Sequence, residues 1–475
     1  MNEKDTKINI RMTSLTIKMF ITIQIILWLL FVAGLTVLRY LCNYSGTFDF
    51  GLFSQMYYYM DKTFLPVTTA ERNMYMSHFA VHVSPIFYTI LPVYKIFASQ
   101  ITLLVCQAII VISGIIPFYK ICRKYNMTDK EIWLFSLMYC LFPAFIGGCF
   151  YDFHENKFLT VIILWMIYFL EMRKYKASML FAILLCMVKE DAPVYAACLG
   201  LFFIFYKKEY KYGMTVFIMS VVYFMAVTTL MKKYGIGIMT NRFSNLMYDD
   251  SLGLVGVIKT VMVNPVYAVK EMITEDKIVF LLQVMMPLGF LPLINNKWSK
   301  WILVIPFVLV NMLSDYKYQH SIYFQYTYGS CAMLFYLAII NYCLYKERRR
   351  DIMHGVIILA IIASVLITDS TMSSKLRYLD MYISDYDILQ EVDDVLAKIP
   401  EEASVESHSG YVPKLSLRRQ IYKFDNRYKE DYIVVDLRKS WEKNGDEVIE
   451  QAQKKGYVLT DYIDGYVAVL KKSTI

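Results

Sequence analysis

The apolar runs of this chain constrain its fold more than any other feature. Stretches near 17–40, 100–121, 131–149, 157–172, 177–190, 192–206, 213–231, 277–294, 301–314, 322–345 and 352–368 carry their charges only at or near their ends. A helix needs about 20 mostly apolar residues to cross the hydrocarbon core of a bilayer, so the pattern predicts an α-helical polytopic membrane protein of about eleven spans. Over 475 residues, 57% are hydrophobic and only 19% charged. Soluble domains carry roughly 25% charge, which excludes a wholly soluble multidomain enzyme and makes lipid the solvent for most of this surface.

Charge then orients the spans. Before residue 370 there are 33 Lys/Arg against 22 Asp/Glu, and from 370 onward 16 against 19. The excess positive charge therefore belongs to the membrane part, and it sits at the ends of apolar runs rather than on a soluble stripe, so no nucleic acid is expected as a partner. With a cytoplasmic N-terminus, the clusters Arg123/Lys124/Lys130, Arg173/Lys174/Lys176, Lys207/Lys208/Lys211, Lys297/Lys300 and Lys346/Arg348/Arg349/Arg350 all fall inside, as the positive-inside rule requires. This assigns the protein to the plasma (inner) membrane, multi-pass, with an extracytoplasmic C-terminal tail. The first apolar run, Met19 to Leu38, is too long for a signal-peptide core and reads as an uncleaved span. Val83 to Ala98, broken by Pro85 and Pro92 and carrying Lys95, reads as a juxtamembrane or re-entrant helix rather than a span.

Two domains follow: a transmembrane domain over 1–369, with an external juxtamembrane loop at 41–99, and a small external α/β domain over 370–475. Alternation within the tail predicts helices near 385–398 and 446–455 and strands at 403–407, 431–437, 457–462 and 465–471. The nine cysteines stop at Cys343, so the tail has neither a disulfide framework nor a cysteine zinc site. No nucleotide-binding glycine loop, GxSxG or CxxC is present.

The polar residues that break this pattern share one leaflet. Asp49 lies just past the first span among Phe48, Phe50 and Phe53; Ser77–His82 offers His78 and His82 at i, i+4; the next external turn holds Asp152, His154 and Glu155; another holds Lys189, Glu190 and Asp191; and 315–320 holds Gln319 and His320. Ionisable groups at membrane depth are functional candidates. Plainer alternatives stand beside each: a helix-capping aspartate at 49, interfacial turns facing water, and an aromatic belt at 315–320. Carboxylates and imidazoles together also suit a divalent metal (Mn²⁺, Mg²⁺ or Zn²⁺) on Asp152, His154 and His78, with a metal-free cluster as the alternative.

The strings FDFGLFSQ (48–55), HVSPIFYTILPVYKIF (82–97), FPAFIGGCFYDFHEN (142–156), VKEDAPVY (188–195), MPLGFLPL (286–293) and DYIVVDLR (431–438) resemble the bacterial membrane-protein family known as domain of unknown function 2079, from about residue 35 to 470. That family in turn resembles the GT-C superfamily of polytopic glycosyltransferases. The resemblance implies a catalytic acid near the start of the first external loop, which Asp49 matches, and acids in the next external turn, which Asp152 and Glu155 match. Asp49 is followed by Phe50, Gly51 and Leu52, so the superfamily's D-x-D or acidic dyad is absent there. The implied partners are a polyprenyl-phosphate sugar donor, membrane lipids and an envelope glycan, lipid or protein acceptor, with Lys189, Glu190, Asp191, His82, Gln319 and His320 as substrate-binding candidates. A transporter or flippase of lipid-linked envelope precursors is the alternative function, although no internal repeat supports it, and a non-catalytic envelope assembly protein is another.

Overall fold

The computed structural model describes residues 3–236, 239–248, 252–438 and 444–473; residues 237–238 and 249–251, between the apolar runs 213–231 and 277–294, lie outside the described residues. Helix occupies the apolar runs. Among the described residues, six segments are long and apolar enough to cross a membrane: Leu15–Leu41, Gln100–Lys124, Asp129–Cys149, Tyr210–Tyr234, Gln325–Lys346 and Arg350–Ser384. Lys157–Glu171, Tyr175–Cys186 and Pro193–Phe205 are shorter apolar helices. The run at 277–294 is not one helix. It is Glu275–Met285 followed by 3₁₀ turns at Met286–Leu288 and Leu291–Leu293, because Pro287 and Pro292 each remove a backbone donor and Gly289 takes φ 57°. At 301–314 the chain forms a 3₁₀ turn, Trp298–Leu303, and a π turn, Phe307–Met312.

Gln325–Lys346 is the axis of the bundle, with 89% of its most apolar window buried. Enclosure on all sides obliges its polar groups to find partners. Tyr328 donates to the Phe145 carbonyl at 2.7 Å, Ser330 to Asn311 at 2.7 Å and Asn341 to the Leu291 carbonyl at 2.8 Å. Helices Pro193–Phe205 and Tyr210–Tyr234 approach through facing glycines, since a Cβ on Gly200 would lie 2.9 Å from the Gly213 carbonyl oxygen, the small-residue packing that membrane helices favour.

The two ends of the bundle differ. At one, basic residues are tied to acids: Lys346 to Glu131 at 3.0 Å, Lys207 to Glu171 at 2.5 Å and Arg123 to Asp129 at 2.5 Å. At the other lie the loop 41–99 and the tail. The loop holds helix Leu52–Thr63 and a short antiparallel hairpin of β1 (Val67–Thr68) and β2 (Met76–Ser77). Residues 83–98 form a 3₁₀ turn, Pro85–Thr89, and a six-residue α-helix, Leu91–Ile96.

Helix Arg350–Ser384 continues past residue 370 before the tail's own elements begin. These are helices Tyr386–Ala397 and Gly445–Lys454 and a sheet of β3 (Val405–Ser407), β4 (Ile421–Lys423), β5 (Tyr432–Asp436), β6 (Tyr457–Ile463) and β7 (Val467–Lys472). The order is β4-β3-β5-β7-β6, parallel for β4/β3/β5 and antiparallel for the rest. The three-residue strand β4 escapes a sequence reading because it is too short to alternate. It docks on the loop: Thr69 Oγ1 donates to the Ile421 carbonyl and accepts from its N–H, and the Asn73 amide does the same with Lys423. Tail and first loop thus share one core, with Val412 against Gly51.

Candidate functional site

Asp49 is presented by a break in helix. Residues Thr47–Gly51 form one π turn, closed by the Gly51 N–H on the Gly46 carbonyl at 3.1 Å, and within it Phe48 is extended while Asp49 takes φ 63°, ψ −71°. A residue bearing a side chain rarely adopts this γ-turn conformation. It is held from both sides: Phe50 is buried edge-on to Tyr40, and Phe53 packs against His78, Phe87, Phe153 and His154. Tyr151 lines the same cavity as Asp49. Burial, with Glu155 adding repulsion, pushes the Asp49 carboxyl up to about 7 against the pull of Lys189.

The next turn supplies the other acids. Asp152 sits at φ 120°, ion-paired at 2.7 Å to Arg39 from the last turn of the first helix and hydrogen-bonded by Ser45 at 3.2 Å. Burial raises its carboxyl to about 6 in spite of Arg39. Glu155 forms a fully buried ion pair with Lys189 at 2.9 Å. His154 Nδ1 stands 3.2 Å from the other Glu155 oxygen, and among the described residues neither member of the pair makes a well-directed hydrogen bond. Glu190 receives His82 Nδ1 at 2.7 Å and the Val83 N–H at 3.1 Å, fastening the 188–191 turn to the first loop. Burial, reinforced by the charge of Lys189, holds His82 and His154 well below the ordinary imidazole range, so both are neutral at pH 7.

Asp49, His78, His82 and His154 line one cavity of about 610 Å³, together with Phe53, Glu71, Arg72, Tyr151, Arg242, Tyr316 and Tyr326. Among the described residues neither ring nitrogen of buried His78 makes a hydrogen bond, the Glu71 carboxylate standing 3.7 Å from Nδ1. Asp152, Glu155, Lys189 and Glu190 do not line it; they brace the segments that do. His320 pairs instead with Asp276 at 2.7 Å.

Asp191 and Gln319 belong to a second, adjoining space, an apolar groove of about 440 Å³ walled by Phe224, Val257, Val261, Met262, Leu309 and Leu313. Arg242 lines both spaces. It is 8% exposed, lies over the rings of Tyr326 and Tyr316 at 5.1 and 5.6 Å, and has no carboxylate within ion-pair distance among the described residues. A sequence reading passes over it, though a signal was there: it is the sole arginine between Arg173 and Arg348.

The expected metal set does not converge. Asp152 is engaged by Arg39, His154 Nδ1 accepts from the Asn156 N–H at 3.2 Å, His78 stands 3.7 Å from Glu71, and among the described residues no three His, Cys, Asp or Glu gather in a metal-holding arrangement.

A bundle of apolar helices whose loops at one end enclose a polar cavity beside an apolar groove defines a polytopic membrane protein. The chain belongs to the family described as predicted membrane protein, DUF2079, whose profile matches residues 39–468. Its fold is similar to that of ArnT from Cupriavidus metallidurans bound to undecaprenyl phosphate, with a TM-score of 0.55 at 10% identity, over 96% of this chain and 98% of that one. A search of curated proteins finds no match.

Proposed function

We propose that this protein is a membrane glycosyltransferase that moves a sugar from a polyprenyl-phosphate donor to an envelope acceptor at the external face of the plasma membrane. The observation that carries this reading is Arg242, a buried guanidinium with no carboxylate within ion-pair distance among the described residues, shared by an apolar groove and a polar cavity. A polyprenyl phosphate has the same sequence of chemistries. Its tail fits the groove, its phosphate meets the arginine, for which a bidentate oxyanion is the preferred partner, and its sugar enters the cavity lined by Tyr316, Tyr326, Glu71 and His78. The similarity to a lipid-phosphate-bound enzyme supports it.

In the reaction, an acceptor hydroxyl oxygen bonds to the anomeric carbon as that carbon's bond to the phosphate oxygen breaks. The hydroxyl proton goes to Asp49, and the lipid phosphate leaves with its charge on Arg242. Asp152 and Glu155 act through Arg39 and Lys189 as positioning groups. The chain crosses the membrane eleven times in this reading, with the N-terminus inside and the tail outside. A bacterial strain lacking the protein is expected to accumulate a lipid-linked sugar, which the wild-type gene restores to normal and Asp49→Asn and Arg242→Gln do not. An unchanged lipid and glycan profile in the deletion strain overturns the proposal.

A further inference from the structure

Tyr151 and Phe324 line the Asp49 cavity on one side and a different cavity, of about 590 Å³, on the other. Their ring centroids are 4.5 Å apart, so a single aromatic layer separates the two spaces. The second cavity is basic. Arg39, Lys375 and Arg377 line it, and no carboxylate does among the described residues. Arg39 is held by Asp152 and by the Phe150 carbonyl, each at 2.7 Å. Arg377 lies over Tyr378 and Tyr44 at 5.0 and 5.7 Å. Lys375, half-buried, has neither a hydrogen bond nor an ion pair with any described residue. Asp152 offsets the charge of Arg39, whereas Lys375 and Arg377 have no ion pair among the described residues, and an oxyanion in the cavity would accept charge-assisted hydrogen bonds from them.

The level of this cavity in the molecule says what kind of anion it meets. Arg39 is in the last turn of a spanning helix. Lys375 and Arg377 are near the end of another, beside Leu376, Leu379 and Ile383, which are exposed. Tyr44, Tyr323 and Tyr378 are among the residues lining the cavity. Tyrosines and basic groups flanking exposed apolar side chains at the ends of spans mark the depth at which lipid headgroups lie.

We infer that the basic cavity binds the phosphate of the acceptor, a phosphate-bearing lipid, and so delivers an acceptor hydroxyl past Tyr151 to Asp49. The inference rests on the transferase reading and adds the acceptor's class to it. Donor and acceptor enter from opposite sides of the Tyr151–Phe324 wall, and the sugar crosses it as the hydroxyl proton passes to Asp49. Lys375 and Arg377 position the acceptor and touch no reacting atom.

The test uses the full chain in a neutral detergent with two soluble probes: dihexanoyl phosphatidate for the basic cavity and farnesyl phosphate for the Arg242 site. Lys375→Met/Arg377→Gln is expected to weaken phosphatidate binding by about 10- to 100-fold, the worth of a charged hydrogen bond or two, and to leave farnesyl phosphate unaffected. Arg242→Gln is expected to do the reverse. Lys375→Gln alone, a smaller change, must show the same selective loss in lesser degree, which separates the effect from misfolding. Unchanged phosphatidate binding in the double variant overturns the inference. Inorganic phosphate binding as tightly as phosphatidate overturns its lipid source. Farnesyl phosphate binding that survives Arg242→Gln counts against the donor placement alone, so the two readings fail separately.

Discussion

Asp49 and Asp152 are both held at positive φ, 63° and 120°, where a backbone bearing a side chain costs about 1–3 kcal/mol. Strain of this kind persists only where packing on all sides enforces it, here Phe50 and Phe53 on one turn and the Arg39 ion pair on the other. A base whose pKa is about 7 gives a signature in pH. Protonated Asp49 takes no proton, so turnover should fall roughly tenfold per pH unit below that value and level off above it; a rate independent of pH between 5 and 8 would rule Asp49 out as the base. Asp49→Asn keeps the shape and loses the basic oxygen, and its turnover should drop by roughly 10² to 10⁴ with farnesyl phosphate affinity unchanged. Lys189 is a different case. It is fully buried against Glu155 and lines neither the Asp49 cavity nor the apolar groove, so Lys189→Met leaves a buried carboxylate without its partner. The expected result is a loss of about 3–5 kcal/mol in stability, read as a lowered melting temperature in detergent, and Lys189→Met/Glu155→Leu should recover most of it.

At the scale of elements, Gln55 of helix Leu52–Thr63 joins three segments. Its Oε1 accepts from Thr68 Oγ1 and the N–H groups of Thr69 and Ala70, and its Nε2 donates to Thr69 Oγ1 and the carbonyls of Arg418 and Arg419. The helix, the hairpin carrying Glu71 and Arg72 into the cavity, and the tail are thereby locked together. Gln55→Leu orphans several of these groups at once, each worth about 1–3 kcal/mol when buried and unsatisfied. The prediction is faster hydrogen exchange through residues 66–73 and 416–423 with exchange in Gln325–Lys346 unaltered; protection retained in both segments would show the junction to be held by apolar packing instead.

Across the whole molecule, the basic clusters gather at one end of the bundle, and Asp49, His78, His82, Asp152, His154 and the tail lie at the other. With the native cysteines replaced, a cysteine at exposed Asp446 should react with an impermeant maleimide on intact cells, and one at exposed Lys124 only after permeabilisation. The opposite pattern would invert the proposed orientation and move the candidate site to the cytoplasmic face.

The sequence by itself determined the membrane class, the position of the helices, most of the tail's strands and the family, because each is written locally: an apolar run, a two-residue alternation, a contiguous string such as YDFHEN. It also brought Asp49, His78, His82 and His154 to one leaflet, since helix length carries every loop to one end or the other. Only the tertiary structure decided which of the gathered residues face a cavity. Lys189, Glu190 and Glu155 have the same local character as Asp49, yet ion pairing and hydrogen bonding turn them into braces, while Arg242, in a loop with no motif around it, lies between groove and cavity. Whether a charge is exposed to substrate or cancelled by a neighbour depends on groups more than a hundred residues apart, as Arg39 and Asp152 are, and local sequence carries no record of that pairing.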